Sequence, residues 1–260
     1  PGQVALRVGP DEQRAFQQGL RSFFEESRSL AAIEHPNVVR VLNFFRDHGT
    51  AYLVMRYERG STLEQCLREG NRPLPESSLR RTFIRLLNGL REVHVRRMLH
   101  LDIKPANIYV RVNGVPLLID FGASRQMLGR GRPGLRPTYT PGFAAPEQHD
   151  RGELGPWTDI YSTGASMFAC LAGRGPQPAG QRLVQDRNPP AREVGRERYS
   201  AELLDIIDWC LELDPAARPQ SVLALQKALG APLTGGDADT GFLGRVQRYL
   251  LRRTLREPAR

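Results

Sequence analysis

Cysteine is scarce in this sequence: only Cys66, Cys170 and Cys210 occur, widely spaced and each in apolar surroundings. An odd, scattered set excludes a disulfide framework and a zinc knuckle, and points to a reducing cytoplasm or to the cytoplasmic part of a membrane-associated protein. Long hydrophobic runs are missing too, and no window approaches the roughly 18 uninterrupted apolar residues of a membrane span. Pro1 to Arg7 form no secretory leader, and a first residue other than Met leads us to expect a natural start upstream. Internal repeats are absent. Aromatics are few, at 7%. Lys and Arg number 37 against 28 acids, a net charge of +9. The arginines are dispersed along helical stretches rather than grouped with stacking aromatics, so nucleic acid is not an expected partner. What is present, 40% hydrophobic and 25% charged residues over 260 positions, suits a globular chain of one large domain or two lobes with a sizeable core.

Between Phe16 and Ile33 the residues Leu20, Phe23, Phe24, Leu30 and Ile33 recur at helical spacing, and His35-Pro36 closes the segment. This predicts a helix of about 18 residues. Val38 to Leu42 and Ala51 to Tyr57 read as strands joined through Asp47-His48-Gly49. After Gly60 helices dominate. Leu79, Phe83, Leu86, Leu87, Leu90 and Val93 mark a long amphipathic helix behind Pro73 and Pro75. Ile108 to Val112 and Val115 to Ile119 flank Asn113-Gly114, a two-residue hairpin signal. Gly129 to Pro137 reads as a loop, and Asp159 to Leu229 as helices with proline-rich joints.

The run His100-Leu101-Asp102-Ile103-Lys104-Pro105-Ala106-Asn107 leads into that second hairpin, Asp120-Phe121-Gly122 follow it, and Ala145-Pro146-Glu147 come later. Each fragment alone is weak. In this order they resemble the catalytic loop, the metal loop and the A-P-E motif of the protein kinase family. The resemblance implies an α+β, two-lobe fold. Residues 1–59 would be a partial N-lobe of helix plus hairpin with a hinge near 55–58, and residues 60–232 a complete, mainly helical C-lobe. Residues 233–260 would be a linker and a basic amphipathic helix. It also implies a phosphotransferase that uses ATP and Mg²⁺ on Ser or Thr hydroxyls of protein substrates.

Phosphoryl transfer asks little covalent chemistry of the enzyme, which positions the nucleophile and neutralises phosphate charge. By resemblance, Asp102 is the catalytic base, Lys104 meets the transferring phosphate, and Asn107 and Asp120 are hard oxygen ligands for Mg²⁺. Glu26 takes the place of the helix glutamate, and Met55, Arg56 and Tyr57 fall at the gatekeeper and hinge that meet adenine. Thr140 matches the threonine that braces the catalytic aspartate and lysine, which together with Lys104 favours Ser/Thr over Tyr substrates. Glu147 would pair with Arg218, and Asp159 would hold the catalytic-loop backbone, although an ordinary N-cap uses the same acceptor chemistry.

The chain departs from the family in two places. Leu101 stands where an arginine usually follows the histidine, and a leucine cannot grip an activation-loop phosphate. Leu101 also narrows the resemblance to a bacterial group of Ser/Thr kinases. No glycine-rich phosphate loop precedes Glu26; the only G-x-G-x-x-G, Gly129 to Gly134, lies in the activation segment. The strand lysine is either cut away, the reading we favour, or replaced by Arg7. The chain as given is therefore expected to be weak or inactive, and a pseudokinase or protein-binding module is the alternative. Beyond Thr234, Phe242, Leu243, Val246, Tyr249, Leu250 and Leu255 share a helical face ringed by arginines, a pattern that can contact a membrane or a partner protein.

Overall fold

The computed structural model describes residues 10–70, 73–121, 125–126, 139–149 and 152–230. Arg7, Gly122, the glycine-rich run 129–134 and the basic tail lie outside them. The first element is a helix, α1 (Pro10–Ala31), which begins six residues before the apolar pattern does. Proline suits a first helical turn because its missing N–H has no partner to lose there. Leu20, Leu30 and Ile33 are buried on its inner side and just past its end.

Two strands follow, β1 (Val41–Asp47) and β2 (Thr50–Met55), paired antiparallel with Asp47 opposite Thr50. The turn is only His48-Gly49, at φ 48° and 73°. Positive φ at both central residues is the hairpin geometry whose twist matches the strands. So tight a turn draws Asn43 to Arg46 into the first strand, which the sequence places instead at Val38 to Leu42. Val38 and Val39 go elsewhere: Val38 bridges Leu118, and the Val39 N–H donates to the Leu118 carbonyl at 2.9 Å.

A short strand β3 (Gly60–Thr62) runs into α2 (Leu63–Glu69), whose start carries a capping box between Thr62 and Gln65. The long amphipathic helix is α3 (Glu76–Val95); Leu79, Phe83, Leu86, Leu87, Leu90 and Val93 are all at most 1% exposed. Then come β4 (Met98–Leu99), a 3₁₀ turn over Pro105–Asn107, and the hairpin β5 (Ile108–Arg111) with β6 (Pro116–Leu118). β3 pairs with β5 on the side away from β6. A two-residue strand, β7 (Arg125–Gln126), pairs with β4.

The remainder is helical: α4 (Pro146–His149), α5 (Pro156–Ala172), α6 (Ala179–Val184), α7 (Ala191–Gly195), α8 (Ala201–Cys210) and α9 (Val222–Leu229). α5 is the central post, buried from Thr158 to Leu171, with α3, α7, α8 and α9 packed around it. One apolar core runs from Leu30 to Leu229. The three cysteines are free and buried in it; burial pushes the Cys66 thiol up to about 11, and the other two are raised as well. Among the described residues no helix is long and apolar enough to cross a membrane.

Candidate active site

The loop between β4 and the 3₁₀ turn holds a compact polar constellation. Asp102 Oδ1 accepts from Thr140 Oγ1 at 2.8 Å, and Asp102 Oδ2 accepts from Asn107 Nδ2 at 2.8 Å and faces Lys104 Nζ at 2.8 Å. Lys104 Nζ also donates to Thr140 Oγ1 at 2.6 Å. Four residues singled out in the sequence, Asp102, Lys104, Asn107 and Thr140, thus converge. Charge-assisted bonds of this kind are about twice as strong as neutral ones. Asp102 and Lys104 remain partly open to solvent, at 15% and 22%.

The backbone beneath is held by Asp159. Leu101 sits at φ 64°, a left-handed conformation that costs a leucine on the order of 1–2 kcal/mol. Its N–H donates to Asp159 Oδ1 at 2.8 Å, and the His100 N–H donates to Asp159 Oδ2 at 2.9 Å. Asp159 therefore accepts from two successive backbone N–H groups of the loop; its place in the first turn of α5 does not make it that helix's cap, a position occupied by Gly155. Asp159 also accepts from His94 Nε2 at 2.7 Å. Burial alone would raise its carboxyl, but the bonds from His94 and the His100 backbone outweigh it and hold the group below its ordinary range.

His100 is fully buried, and burial lowers its imidazole below the usual value against the pull of Asp159. The neutral ring is the one its contacts require: Nδ1 accepts from the Asp102 N–H at 3.3 Å while Nε2 donates to the Ile119 carbonyl at 3.2 Å. Ile119 in turn donates its N–H to the Asn107 carbonyl at 3.1 Å. That bond ties together the loops carrying Asn107 and Asp120. Asp120 is exposed at φ 60°, and Phe121 is tucked against His100 with ring centroids 4.5 Å apart.

Mg²⁺ favours oxygen ligands and is usually held by one or two carboxylates plus phosphate and water oxygens. Asn107 commits both bonds of its Nδ2 to Asp102, one to the carboxylate and one to the carbonyl at 2.9 Å, which leaves Oδ1 as its acceptor. By resemblance, Asp120 would supply the carboxylate. An amide oxygen and a carboxylate are hard oxygen donors of the kind Mg²⁺ takes; no cluster of three His, Cys, Asp or Glu occurs among the described residues.

The Glu147 carboxylate meets the Arg218 guanidinium in two bonds, of 2.8 and 3.0 Å, and accepts from Thr158 Oγ1 at 2.8 Å. Glu26 lies half-buried on α1. Met55 ends β2; the Arg56 N–H donates to the Arg40 carbonyl at 2.8 Å, and Tyr57 is exposed. Sequence reasoning missed two residues. His94 reads as an ordinary histidine at a helix end, and Gln148, whose Nε2 donates to the Leu101 carbonyl at 3.0 Å, is marked only by standing next to Glu147.

Residues 3–229 match the protein kinase domain, and the chain belongs to that family. It is 32% identical over 245 residues to a probable serine/threonine-protein kinase of Streptomyces coelicolor, covering 88% of this chain and 35% of that protein. A serine/threonine-protein kinase of Myxococcus xanthus, pkn2, is 30% identical over 262 residues, covering 93% of this chain and 30% of that protein. The chain thus spans about a third of the length of these curated relatives. Among solved structures, the PpkA-294 apo form is 34% identical, with a TM-score of 0.74 over 86% of this chain and 79% of that one. The α+β kinase fold expected from the sequence is the fold observed.

Proposed function

We propose that this chain is the phosphotransfer part of an ATP-dependent protein serine/threonine kinase. The observation that carries the reading is the Thr140 hydroxyl, which bonds Asp102 and Lys104 at once. Asp102 orients the acceptor hydroxyl and takes up its proton at a carboxylate oxygen. Lys104, beside it, presents its ammonium to the phosphoryl group in flight, where a preplaced charge needs no reorganisation. Asn107 fixes Asp102 and, with Asp120, would hold Mg²⁺, which when bound neutralises phosphate charge. Thr140 belongs to the segment that receives the acceptor peptide, and Lys104 with Thr140 favours Ser and Thr acceptors. Glu26 and the 55–57 hinge complete the nucleotide site by resemblance. We place residues 1–59 in the small lobe, 60–232 in the large lobe, and keep membrane or partner contact for the tail.

One observation favours a scaffold instead: Leu101 stands where an arginine usually follows the catalytic-loop histidine. Both readings meet in one assay, incubation of the full-length protein with labelled ATP, Mg²⁺ and a generic basic protein substrate. Label on phosphoserine and phosphothreonine supports the kinase. No transfer with intact folding supports the scaffold.

A further inference from the structure

The peptide unit joining Leu101 to Asp102 has both of its polar atoms engaged. The Asp102 N–H goes to His100 Nδ1 at 3.3 Å, and the Leu101 carbonyl accepts from Gln148 Nε2 at 3.0 Å. This unit sets the direction of the Asp102 side chain, and it follows a residue in the left-handed region. Asp159 grips the preceding unit from α5. Gln148 is the grip from α4, in the same segment as Thr140 and Glu147. The amide is itself fixed, because Gln148 Oε1 accepts from the Ala145 N–H at 2.9 Å and the residue is 8% exposed.

Gln148 thus donates to one buried backbone group and accepts from another. A neutral amide does both, whereas a carboxylate only accepts and an aliphatic chain does neither. Next to it, Glu147 is locked by Arg218 and Thr158, so the bond to Leu101 reaches the loop from a rigid anchor.

We propose that Gln148 is a positioning residue for phosphoryl transfer. It ties the peptide that aims Asp102 to the segment that receives the acceptor peptide, and so holds the two together with no charge at residue 101 and no phosphate on the activation segment. This rests on the kinase reading above. Activity should then be independent of activation-segment phosphorylation but sensitive to the chemistry of residue 148.

The test compares wild-type full-length protein with Gln148→Leu and Gln148→Glu at temperatures well below melting. Gln148→Leu is expected to lower kcat about tenfold or more while KM for ATP stays within about twofold, the mark of misplaced rather than missing groups. The introduced glutamate can donate only when protonated, and burial among backbone partners raises its pKa. Its kcat should approach wild type at acid pH and fall toward the leucine variant as pH rises. Wild-type kcat in Gln148→Leu, or a Gln148→Glu to wild-type ratio that is flat with pH, overturns the proposal. A wild-type protein without phosphotransfer would overturn the kinase reading instead. Amide exchange of residues 1–260 then decides this inference: Gln148→Leu should speed exchange at Leu101 and Asp102 as well as at Ala145. Acceleration confined to Ala145 contradicts it.

Discussion

Arg218 and Glu147, 71 residues apart in sequence, meet in a bidentate pair whose guanidinium is fully buried. The Arg218 side chain also donates to the carbonyls of Glu212, Leu213 and Trp157, and lies 4.9 Å from the centre of the Tyr161 ring. Removing either partner leaves a buried charge uncompensated. Each alanine variant should therefore lose about 3–5 kcal/mol of stability, and a double-mutant cycle should return a coupling of roughly 1–3 kcal/mol. Additive losses in chemical denaturation would show that the pair contributes no coupling. Arg218→Lys should rescue little, because an ammonium cannot reproduce the two parallel bonds.

Thr140 supplies one hydroxyl to two charged partners. Thr140→Val keeps the shape and loses both bonds; Thr140→Ser keeps them. The valine variant of the full-length protein should lose about ten- to a hundredfold in kcat with KM for ATP nearly unchanged, and the serine variant should recover most of it. Equal activity in the two would remove Thr140 from the account.

Asp159 and His100 are both held below the ordinary values of their groups, which are 3.8 and 6.5 respectively. The unfolded chain therefore binds more protons than the folded one as pH falls, and the sign is the same for both: stability is full above the unfolded values and is lost on acidification. Melting temperature should begin to fall below about pH 6.5 as the unfolded histidine takes up a proton and becomes charged, then again below about pH 3.8 as the unfolded aspartate takes up a proton and loses its charge. His100→Gln should flatten the upper part of the curve. An unchanged upper part would mean that His100 is not the group responsible.

The polar site was legible in the sequence because its residues sit at fixed offsets in one loop, Asp102, Lys104 and Asn107, and a contiguous motif needs no tertiary information to be read. α3 was legible because its core face recurs from Leu79 to Val93 without interruption. The first hairpin was misplaced because Val38 and Val39 are drawn to Leu118, a partner about 80 positions away that no local pattern encodes. Gln148 and His94 escaped for the same reason. Their meaning lies in the backbone and carboxylate they reach, not in their neighbours along the chain.

The most direct measurement is phosphoryl transfer by the full-length protein beside its Asp102→Asn and Asp120→Asn variants, with melting temperatures taken in parallel. Asparagine removes one charge at each position and, at Asp120, tolerates the left-handed backbone. Phosphoserine and phosphothreonine are expected from the wild type, with a loss of orders of magnitude in both variants and melting temperatures within a few degrees of the parent. Full transfer by the Asp102→Asn protein would contradict the role proposed for Asp102.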